Sequence, residues 1–142
     1  MQWFFKNGEL AKDGWNVVVD RQIEGWQHTG LRVADLAEGG HLQLPAGDLE
    51  RIIFLIHGTG LQVSYRAAGE SEFTKQALGG RKSPFDGPTD LIYVPMGTEV
   101  LLEGQGRVAV GEAHGMCGGR LSISRTELPS TLAAPEFDTL SV

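Results

Sequence analysis

The sequence predicts a single all-β domain, either a sandwich or a barrel. The 20 glycines among the 142 residues are spread along the whole chain rather than confined to the ends of helices. The short segments between them alternate in hydrophobicity or are rich in β-branched residues, which is typical of strands. No window shows the 3.6-residue apolar stripe of an amphipathic helix, so we expect at most a short helical turn within residues 70–78.

The predicted strands follow one another at regular spacing. They cover residues 15–19, 31–36, 51–56, 61–65, 91–94, 99–102, 108–111 and 121–124. Turn signals rich in glycine and proline separate most of them, at residues 38–40, 45–48, 58–60, 86–88 and 104–106. After Ser124 the alternation ends, so we expect the domain to cover residues 1–125 and residues 126–142 to form a tail or the start of a linker.

Composition and charge exclude several classes of protein. The net charge of −6 makes a nucleic acid or an anionic membrane surface an unsuitable partner. The chain contains no apolar run of membrane-spanning length, and it does not start like a signal peptide. Its one cysteine, Cys117, cannot form an internal disulfide, so we expect a cytoplasmic protein.

Two short stretches narrow the all-β prediction. They are Glu50 with the apolar run that follows it to Gly58, and Pro95-Met96-Gly97. The first resembles the end of one motif of cupin barrels, and the second resembles the centre of the other. In cupins these motifs supply three imidazoles and a carboxylate that point inward and enclose a divalent ion. We therefore predict a cupin-type fold, the double-stranded β-helix or jelly-roll barrel.

The histidine positions of both cupin motifs hold other residues in this chain. Those of the first motif fall on residues 42–46, where only Leu, Gln, Pro and Ala occur, and that of the second falls on Val100. The sequence therefore predicts no metal site and no metal cofactor in this chain, unless the barrel gathers distant histidines.

The remaining histidines form no pair at ligand spacing. We expect His57 to lie at a strand end with a local hydrogen bond, and His28, His41 and His114 to be exposed. Cys117 lies near His114, but no acid at a recognisable spacing orients that histidine. We interpret Cys117 as structural rather than as a nucleophile.

The stretch from Gly79 to Thr98, which contains Arg81-Lys82-Ser83-Pro84-Phe85-Asp86-Gly87-Pro88, is the most distinctive part of the chain. It resembles the N-terminal cupin of the 5-deoxyglucuronate isomerase family, which acts in myo-inositol breakdown. Weaker similarity extends over most of residues 15–112. The resemblance implies an isomerase that interconverts the aldose and ketose forms of a deoxy sugar acid. It also implies a bicupin about twice as long, with its divalent metal in a C-terminal cupin that nothing here matches.

Three residues of this region are the candidate substrate-binding residues: Arg81, Lys82 and Tyr93. A guanidinium can hold a carboxylate with two parallel hydrogen bonds, which suits a sugar acid as ligand. The alternative is that Arg81 pairs with Asp86 or Asp90 and fixes the loop against the barrel. Tyr93 either reaches the ligand or is a core tyrosine with a satisfied hydroxyl. The loop is also expected to place Phe85 on an apolar surface.

These observations leave two functional hypotheses. In the first, the chain is the metal-free N-terminal half of the isomerase, is inactive without its metal-binding partner domain, and forms a homo-oligomer such as a dimer. In the second, it is a stand-alone degenerate cupin that acts as a sugar-acid binding module or as an oligomerisation module. The catalytic residues are unknown in both, because no pair of groups supplies a base together with a metal.

Overall fold

The structure, a computed structural model, describes residues 1–114 and 122–124, and within them the chain forms seven strands and one 3₁₀ turn. The strands are β1 (Val17–Val19), β2 (Thr29–Leu44), β3 (Leu49–Ala67), β4 (Thr74–Arg81), β5 (Leu91–Val94), β6 (Thr98–His114) and β7 (Ser122–Ser124). Every pairing is antiparallel, in the order β1-β2-β6-β3-β5-β7, and β4 also pairs with β3. The 3₁₀ turn is Pro84–Asp86. No helix in the described residues is long and apolar enough to cross a membrane.

Three long strands, β2, β3 and β6, run through the whole domain and bend in the middle. The ladder between β2 and β6 shifts register between Leu36 and Gly40. Between β3 and β6 it shifts twice, next to His57 and next to Gly60. Such bulges bend and twist a strand without ending it. The predicted turns at residues 38–40, 58–60 and 104–106 are therefore bends inside continuous strands, and the strand pairs predicted on either side of residues 58–60 and 104–106 are each one strand.

The bend divides the sheet into two half-sheets. The first half-sheet contains β1, β5 and β7 together with the start of β2, the start of β3 and the end of β6. The second half-sheet contains β4 together with the end of β2, the end of β3 and the start of β6. Buried side chains from both half-sheets form a single hydrophobic cluster. The two half-sheets therefore face each other across one core, and the cupin-type fold is confirmed.

The core follows the two-residue period of the strands. From the first half-sheet it receives Ile53, Leu55, Ile92, Val108 and Val110, and from the second Leu44, Leu61, Val63, Val100 and Leu102. Residues between these positions face outward. This alternation is what made the strands recognisable in the sequence.

Strand β4 corrects one prediction, because the sequence indicated a short helical turn at residues 70–78. Thr74–Arg81 instead pairs with β3 from Tyr65 back to Gly58. Leu78 is the buried hydrophobic residue of this edge strand. The hydrogen bonds of this segment to β3 outweigh its weak local preference for a helical turn, since strand formation depends strongly on the neighbouring strands. The predicted tail at residues 126–142, the domain boundary and Cys117 lie outside the described residues.

The backbones approach so closely at the bend that one added methyl group there should strongly lower the stability of the fold. A Cβ on Gly104 would overlap the carbonyl oxygen of Gly60, whereas a Cβ on Gly111 of the same strand meets nothing within 4 Å. We expect Gly104→Ala to lower the free energy of unfolding by roughly 3 kcal/mol, the upper range for overpacking. Gly111→Ala, the matched control, should change it by less than about 0.5 kcal/mol. Urea unfolding followed by circular dichroism measures both, and equal effects would contradict the steric account of the bend.

Candidate functional site

Two residues at the positions that the cupin motifs assign to imidazoles, Leu44 and Val100, belong to the apolar core. Leu44 and Val100 are direct cross-strand partners, and their side chains are 1% and 0% exposed. Aliphatic side chains offer no ligand to a divalent ion. Within residues 1–114, no group of three or more His, Cys, Asp or Glu side chains is arranged to hold a metal. The residues present at the motif positions therefore do not fit a cupin metal.

Glu50, the residue that resembles the motif glutamate, faces the outside of the barrel. On β3 it precedes Arg51, which is buried, and its carboxylate accepts a hydrogen bond of 2.7 Å from the hydroxyl of Tyr93. Tyr93 itself lies between the buried Ile92 and Val94, so it points outward as well. The pair lies beside a groove of about 310 Å³ that is also lined by Ile52, Gly111 and Ala113, among others.

The environment of Tyr93 holds its hydroxyl in the neutral form. Burial first, then the hydrogen bond to Glu50 and the negative charge of that carboxylate, raise the pKa of Tyr93 to about 12. All three causes disfavour the phenolate. Tyr93 is therefore a hydrogen-bond donor to Glu50 at neutral pH, rather than a candidate base.

A charged cluster closes one end of the barrel interior. We call this end the mouth. The Glu112 carboxylate lies between two guanidinium groups, at 2.6 Å from Nε of Arg32 and 3.1 Å from Nε of Arg51. Arg51 and Glu112 are each 4% exposed, and Arg32 also lies over the ring of Trp15, at 5.9 Å from its centre. We call Arg32, Arg51 and Glu112 the Arg–Glu cluster. Because each charge has a partner, burial is tolerated here.

A second group of polar side chains surrounds the mouth. Nη2 of Arg21 lies 3.0 Å from Oδ2 of Asp48 and 3.0 Å from Nδ1 of His114, and that nitrogen is 3.3 Å from Oδ2 of Asp48. A cavity of about 30 Å³ lies beside them, lined also by His28 and Glu112. That volume admits a water molecule but no sugar. This small cavity is therefore not a sugar site, whereas the groove of about 310 Å³ beside Tyr93 also reaches Arg51 and Glu112.

The histidines only partly follow the predictions. His28 and His41 are exposed, as predicted. His114 was also predicted to be exposed, but it is partly buried, with a side chain 30% exposed beside Asp48. His57 was predicted at a strand end, but it lies inside β3 next to the bulge and is exposed. The strand continues through the bend, which is why His57 is not terminal.

Residues 82–90 connect β4 to β5, and we call them the distinctive loop. Arg81 holds this loop against the barrel. Its Nε donates to the carbonyl of Ile56 at 2.9 Å, and its Nη1 donates to the carbonyl of Gly87. Asp90 supports the same loop, because its carboxylate accepts a hydrogen bond of 2.7 Å from the backbone N–H of Gly79. The geometry thus shows Arg81 fixing the loop, with backbone carbonyls as acceptors.

The other residues of the predicted site do not join Arg81. Lys82 is exposed beside it. Phe85 is 97% exposed, so the expectation that the loop places it on an apolar surface is wrong. Tyr93 pairs with Ile52 of β3, whereas Arg81 pairs with Gly58. The bend of β3 begins between those two positions, so Tyr93 lies on the first half-sheet and Arg81 on the second.

Sequence reasoning missed the Arg–Glu cluster, although a signal was present. Arg51 is in phase with Ile53 and Leu55 on β3, and Glu112 is in phase with Val108 and Val110 on β6. A charge at the end of a buried period-two series indicates an inward-facing ion. One such charge is uninformative, but two of opposite sign on different strands suggest a buried pair.

Comparisons with known proteins identify relatives of this chain. A family model described as the KduI/IolB family matches residues 3–128. A search of curated protein sequences finds no match. Among solved structures, an IolB-like protein from Salmonella typhimurium is 28% identical with a TM-score of 0.64, over 80% of this chain and 42% of that one. The chain thus spans less than half the length of this relative.

Two further solved structures are similar at lower scores. A protein from Bacillus halodurans is 11% identical with a TM-score of 0.45, over 66% of this chain and 69% of that one. The CENP-C cupin domain of Drosophila melanogaster is 14% identical with a TM-score of 0.44, over 70% of this chain and 77% of that one.

Breaking the Arg–Glu cluster should lower the stability of the fold far more than breaking an exposed ion pair. Glu112→Gln leaves the buried guanidinium group of Arg51 and the partly buried one of Arg32 close together without a counter-charge, and should lower the free energy of unfolding by about 3 kcal/mol. Arg107→Met is the control, because the pair of Arg107 and Asp35 is exposed at 38% and 54% and such pairs contribute less than about 1 kcal/mol. Chemical denaturation of both variants measures the difference. A loss below about 1 kcal/mol for Glu112→Gln would contradict the buried pairing.

The raised pKa of Tyr93 predicts a late titration. A spectrophotometric titration at alkaline pH should show one of the two tyrosines ionising near pH 12. Glu50→Gln should lower that pKa while leaving the effect of burial, and Tyr93→Phe should abolish the late step. Since the unfolded chain ionises near the ordinary pKa of about 10, the contribution of Tyr93 to stability is complete below pH 10 and is lost as the pH rises through 12. Ionisation of Tyr93 near pH 10 would contradict the partly buried hydrogen bond to Glu50.

Proposed function

The chain belongs to the KduI/IolB family, and we propose that it is the N-terminal, metal-free cupin domain of a 5-deoxyglucuronate isomerase. The reaction proposed is the aldose–ketose isomerisation of a deoxy sugar acid in the cytoplasm, as part of inositol breakdown. The observation that carries this proposal is the combination of family membership with a barrel interior that is aliphatic at the cupin ligand positions.

The chemistry of the reaction supports a division of labour between two domains. Aldose–ketose isomerisation moves a proton next to a carbonyl and needs a metal or an oxyanion donor to stabilise the enediolate. In the described part of this chain, Leu44 and Val100 occupy the ligand positions, and Glu112 is already paired with two arginines. The catalytic metal is therefore proposed to lie in a C-terminal cupin, and this domain is proposed to be inactive alone.

The length of the solved relative fits this division. The IolB-like protein from Salmonella typhimurium is matched over only 42% of its chain. The rest of that chain has the length of a further domain. We propose that a metal-binding cupin corresponding to that remainder completes the active enzyme.

We propose that this domain contributes the distinctive loop to substrate binding. Arg81 holds the loop rigid through two carbonyls, which leaves the adjacent, exposed Lys82 as the cation that contacts the carboxylate of the sugar acid. A lysine presents a mobile point charge, which suits a contact completed by another domain. Tyr93 is not part of this contact in the proposal, because its partner Glu50 is anionic.

The alternative function is a stand-alone degenerate cupin that binds a sugar acid or mediates oligomerisation. It is favoured by one observation, an outward sheet face that is apolar around Ile52, which is 44% exposed. Such a face suits a contact between domains or subunits.

An isomerase assay combined with metal analysis tests the proposal. The purified chain, supplied with Mn²⁺, Fe²⁺ or Zn²⁺, should retain far less than one ion per chain after desalting. It should also not interconvert the aldose and ketose forms of a 5-deoxyhexuronate, because ligand positions and enediolate stabilisation are both missing. Elemental analysis and NMR of the sugar acid measure the two quantities.

Near-stoichiometric metal together with turnover by this chain would overturn the proposal. Calorimetric titration with glucuronate measures sugar-acid binding and so distinguishes the alternative, a stand-alone binding module, from the isomerase domain. Binding that is lost in Lys82→Ala but kept in Lys75→Ala, an exposed lysine of β4, would favour a binding module if turnover is also absent after addition of a metal-binding cupin of the family.

A further inference from the structure

The groove of about 310 Å³ on the outside of the first half-sheet has a floor of small residues and a carboxylate on one wall. Its floor is the end of β6, at Gly111 and Ala113. On β3, Ile52 pairs with Gly111 and Glu50 pairs with Ala113, and these two side chains form one wall. On β2, Thr29 pairs with Ala113 from the other side. We call this surface the outer groove.

The small residues of the floor keep the outer groove open. A Cβ on Gly111 would meet nothing within 4 Å, so the space above this residue is unfilled by the described side chains. Ile52, which is 44% exposed, rises beside it as an apolar wall. The volume lies at the lower end of the roughly 300–1,000 Å³ that small-molecule sites occupy. The outer groove therefore has the size of a site for one small ligand.

Glu50 on this wall is half-buried and has no counter-charge. Within the described residues, no Lys, Arg or His nitrogen and no chain terminus lies within 4.0 Å of its carboxylate, and its one hydrogen bond comes from Tyr93. Four other carboxylates of the chain do form ion pairs with arginines: Asp35, Asp48, Glu99 and Glu112. A charge held partly out of water without compensation costs free energy. A cation that enters the outer groove would recover part of that cost.

Tyr93 holds the carboxylate of Glu50 in a fixed position. Its hydroxyl donates to Oε2 at 2.7 Å, and Oε1 accepts no hydrogen bond from the described residues. The negative charge of Glu50 is also one of the causes that raise the pKa of Tyr93 to about 12, which is what an uncompensated neighbouring carboxylate does. Glu50 therefore presents one oriented oxygen atom to the outer groove, with its full charge.

The composition of the outer groove selects among cations. A hard metal ion such as Ca²⁺ or Mg²⁺ takes six or more oxygen ligands, and within residues 1–114 no group of three metal-binding side chains exists. An ammonium group needs only hydrogen-bond acceptors and a negative charge, and it forms strong, charge-assisted bonds with carboxylates. Tyr93 also lines the groove, and aromatic rings attract cations at their faces. The apolar wall at Ile52 and the floor at Gly111 suit an aliphatic chain.

We propose that the outer groove binds a primary alkylammonium ion. The ammonium donates to Oε1 of Glu50, and the aliphatic chain lies on Gly111 against Ile52. A neutral polyol would leave the charge of Glu50 uncompensated, and a sugar acid would be repelled by it, so this site is distinct from the substrate contact proposed at Lys82. The net charge of −6 also favours the approach of a cation.

NMR titration of the ¹⁵N-labelled full chain with pentylammonium tests the proposal. At neutral pH this amine is protonated, and about 150 mM NaCl screens unspecific attraction to the acidic surface. The backbone amides of residues 29–31, 50–52 and 111–113 should shift saturably, with a dissociation constant in the millimolar range. Pentanol and pentanoate have the same chain without the positive charge, and each should bind at least about tenfold more weakly.

Three variants separate the charge of Glu50 from the shape of the outer groove. Glu50→Gln keeps the shape but removes the charge, and should weaken binding of pentylammonium at least about tenfold. Gly111→Leu fills the floor without a clash and without a change of charge, and should weaken binding to the same degree. Glu103→Gln is the matched control, because it removes an exposed carboxylate of β6 on the second half-sheet. It should leave binding unchanged.

A lysine derivative capped at both ends, titrated in the same way, identifies the source of the ammonium. Binding tighter than that of pentylammonium would assign the outer groove to a lysine side chain of a partner protein, and weaker binding would assign it to a free amine. Both results support the proposed chemistry, because both depend on Glu50.

Several outcomes would overturn the proposal. They are a parent chain without saturable shifts at the outer groove, pentanol that binds as well as the amine, and a Glu103→Gln variant that loses as much affinity as Glu50→Gln. Unchanged amide shifts outside the outer groove show that each variant is folded, and Gly111→Leu decides if Glu50→Gln is not. Metal content and turnover enter none of these measurements, so this proposal and the isomerase proposal succeed or fail separately.

Discussion

The glycine bend in β2, β3 and β6 is the constraint on which the rest of the structure depends. Each of these strands pairs on both sides of the bend, so each contributes inward residues to both walls of the barrel. The backbones come so close that a Cβ on Gly58 or Gly106 would overlap a carbonyl oxygen of the facing strand. Both residues also have φ values in the region that favours glycine, +146° and +135°. A side chain at either position would push the two backbones apart at the bend.

The bend also decides where chemistry is feasible. Within the described residues, it places aliphatic side chains face to face through the middle of the barrel and the buried charges at the mouth. There Glu112 lies between Arg32 and Arg51. A buried carboxylate with two guanidinium partners is a poor general base, because each of its oxygens already accepts a hydrogen bond from an arginine and two positive charges stabilise its ionised form. The interior of the described part therefore supports a packing role for this domain, and its surface, including the loop that Arg81 holds, is where a function is to be sought.

The sequence of the distinctive loop identifies the family but does not show which groups Arg81 contacts. Its residues pointed to the family, and the match over residues 3–128 confirms that identification. The acceptors of Arg81, however, are the carbonyls of Ile56 and Gly87. A backbone carbonyl leaves no trace in residue type, so the sequence could not indicate these two acceptors. The positions of the strands were predictable because period-two burial is local, whereas β4 was not, since only its edge pairing with β3 stabilises it.

Alternation along β3 already implied that Glu50 and Arg51 face opposite sides of the sheet, and the apolar positions after them implied one core. Which of the two charged residues points inward depends on side chains that lie far away in the chain. Arg51 is paired inside with Glu112, 61 residues later, and Glu50 is paired outside with Tyr93, 43 residues later. Local periodicity is a property of the chain, and it was sufficient to predict the position of most strands other than β4, and the residue types alone showed that the cupin ligand positions hold no imidazole. The charged mouth, the outward Glu50 and the separation of Arg81 from Tyr93 followed from strand pairing across the bend, because only folding brings those partners within hydrogen-bonding distance.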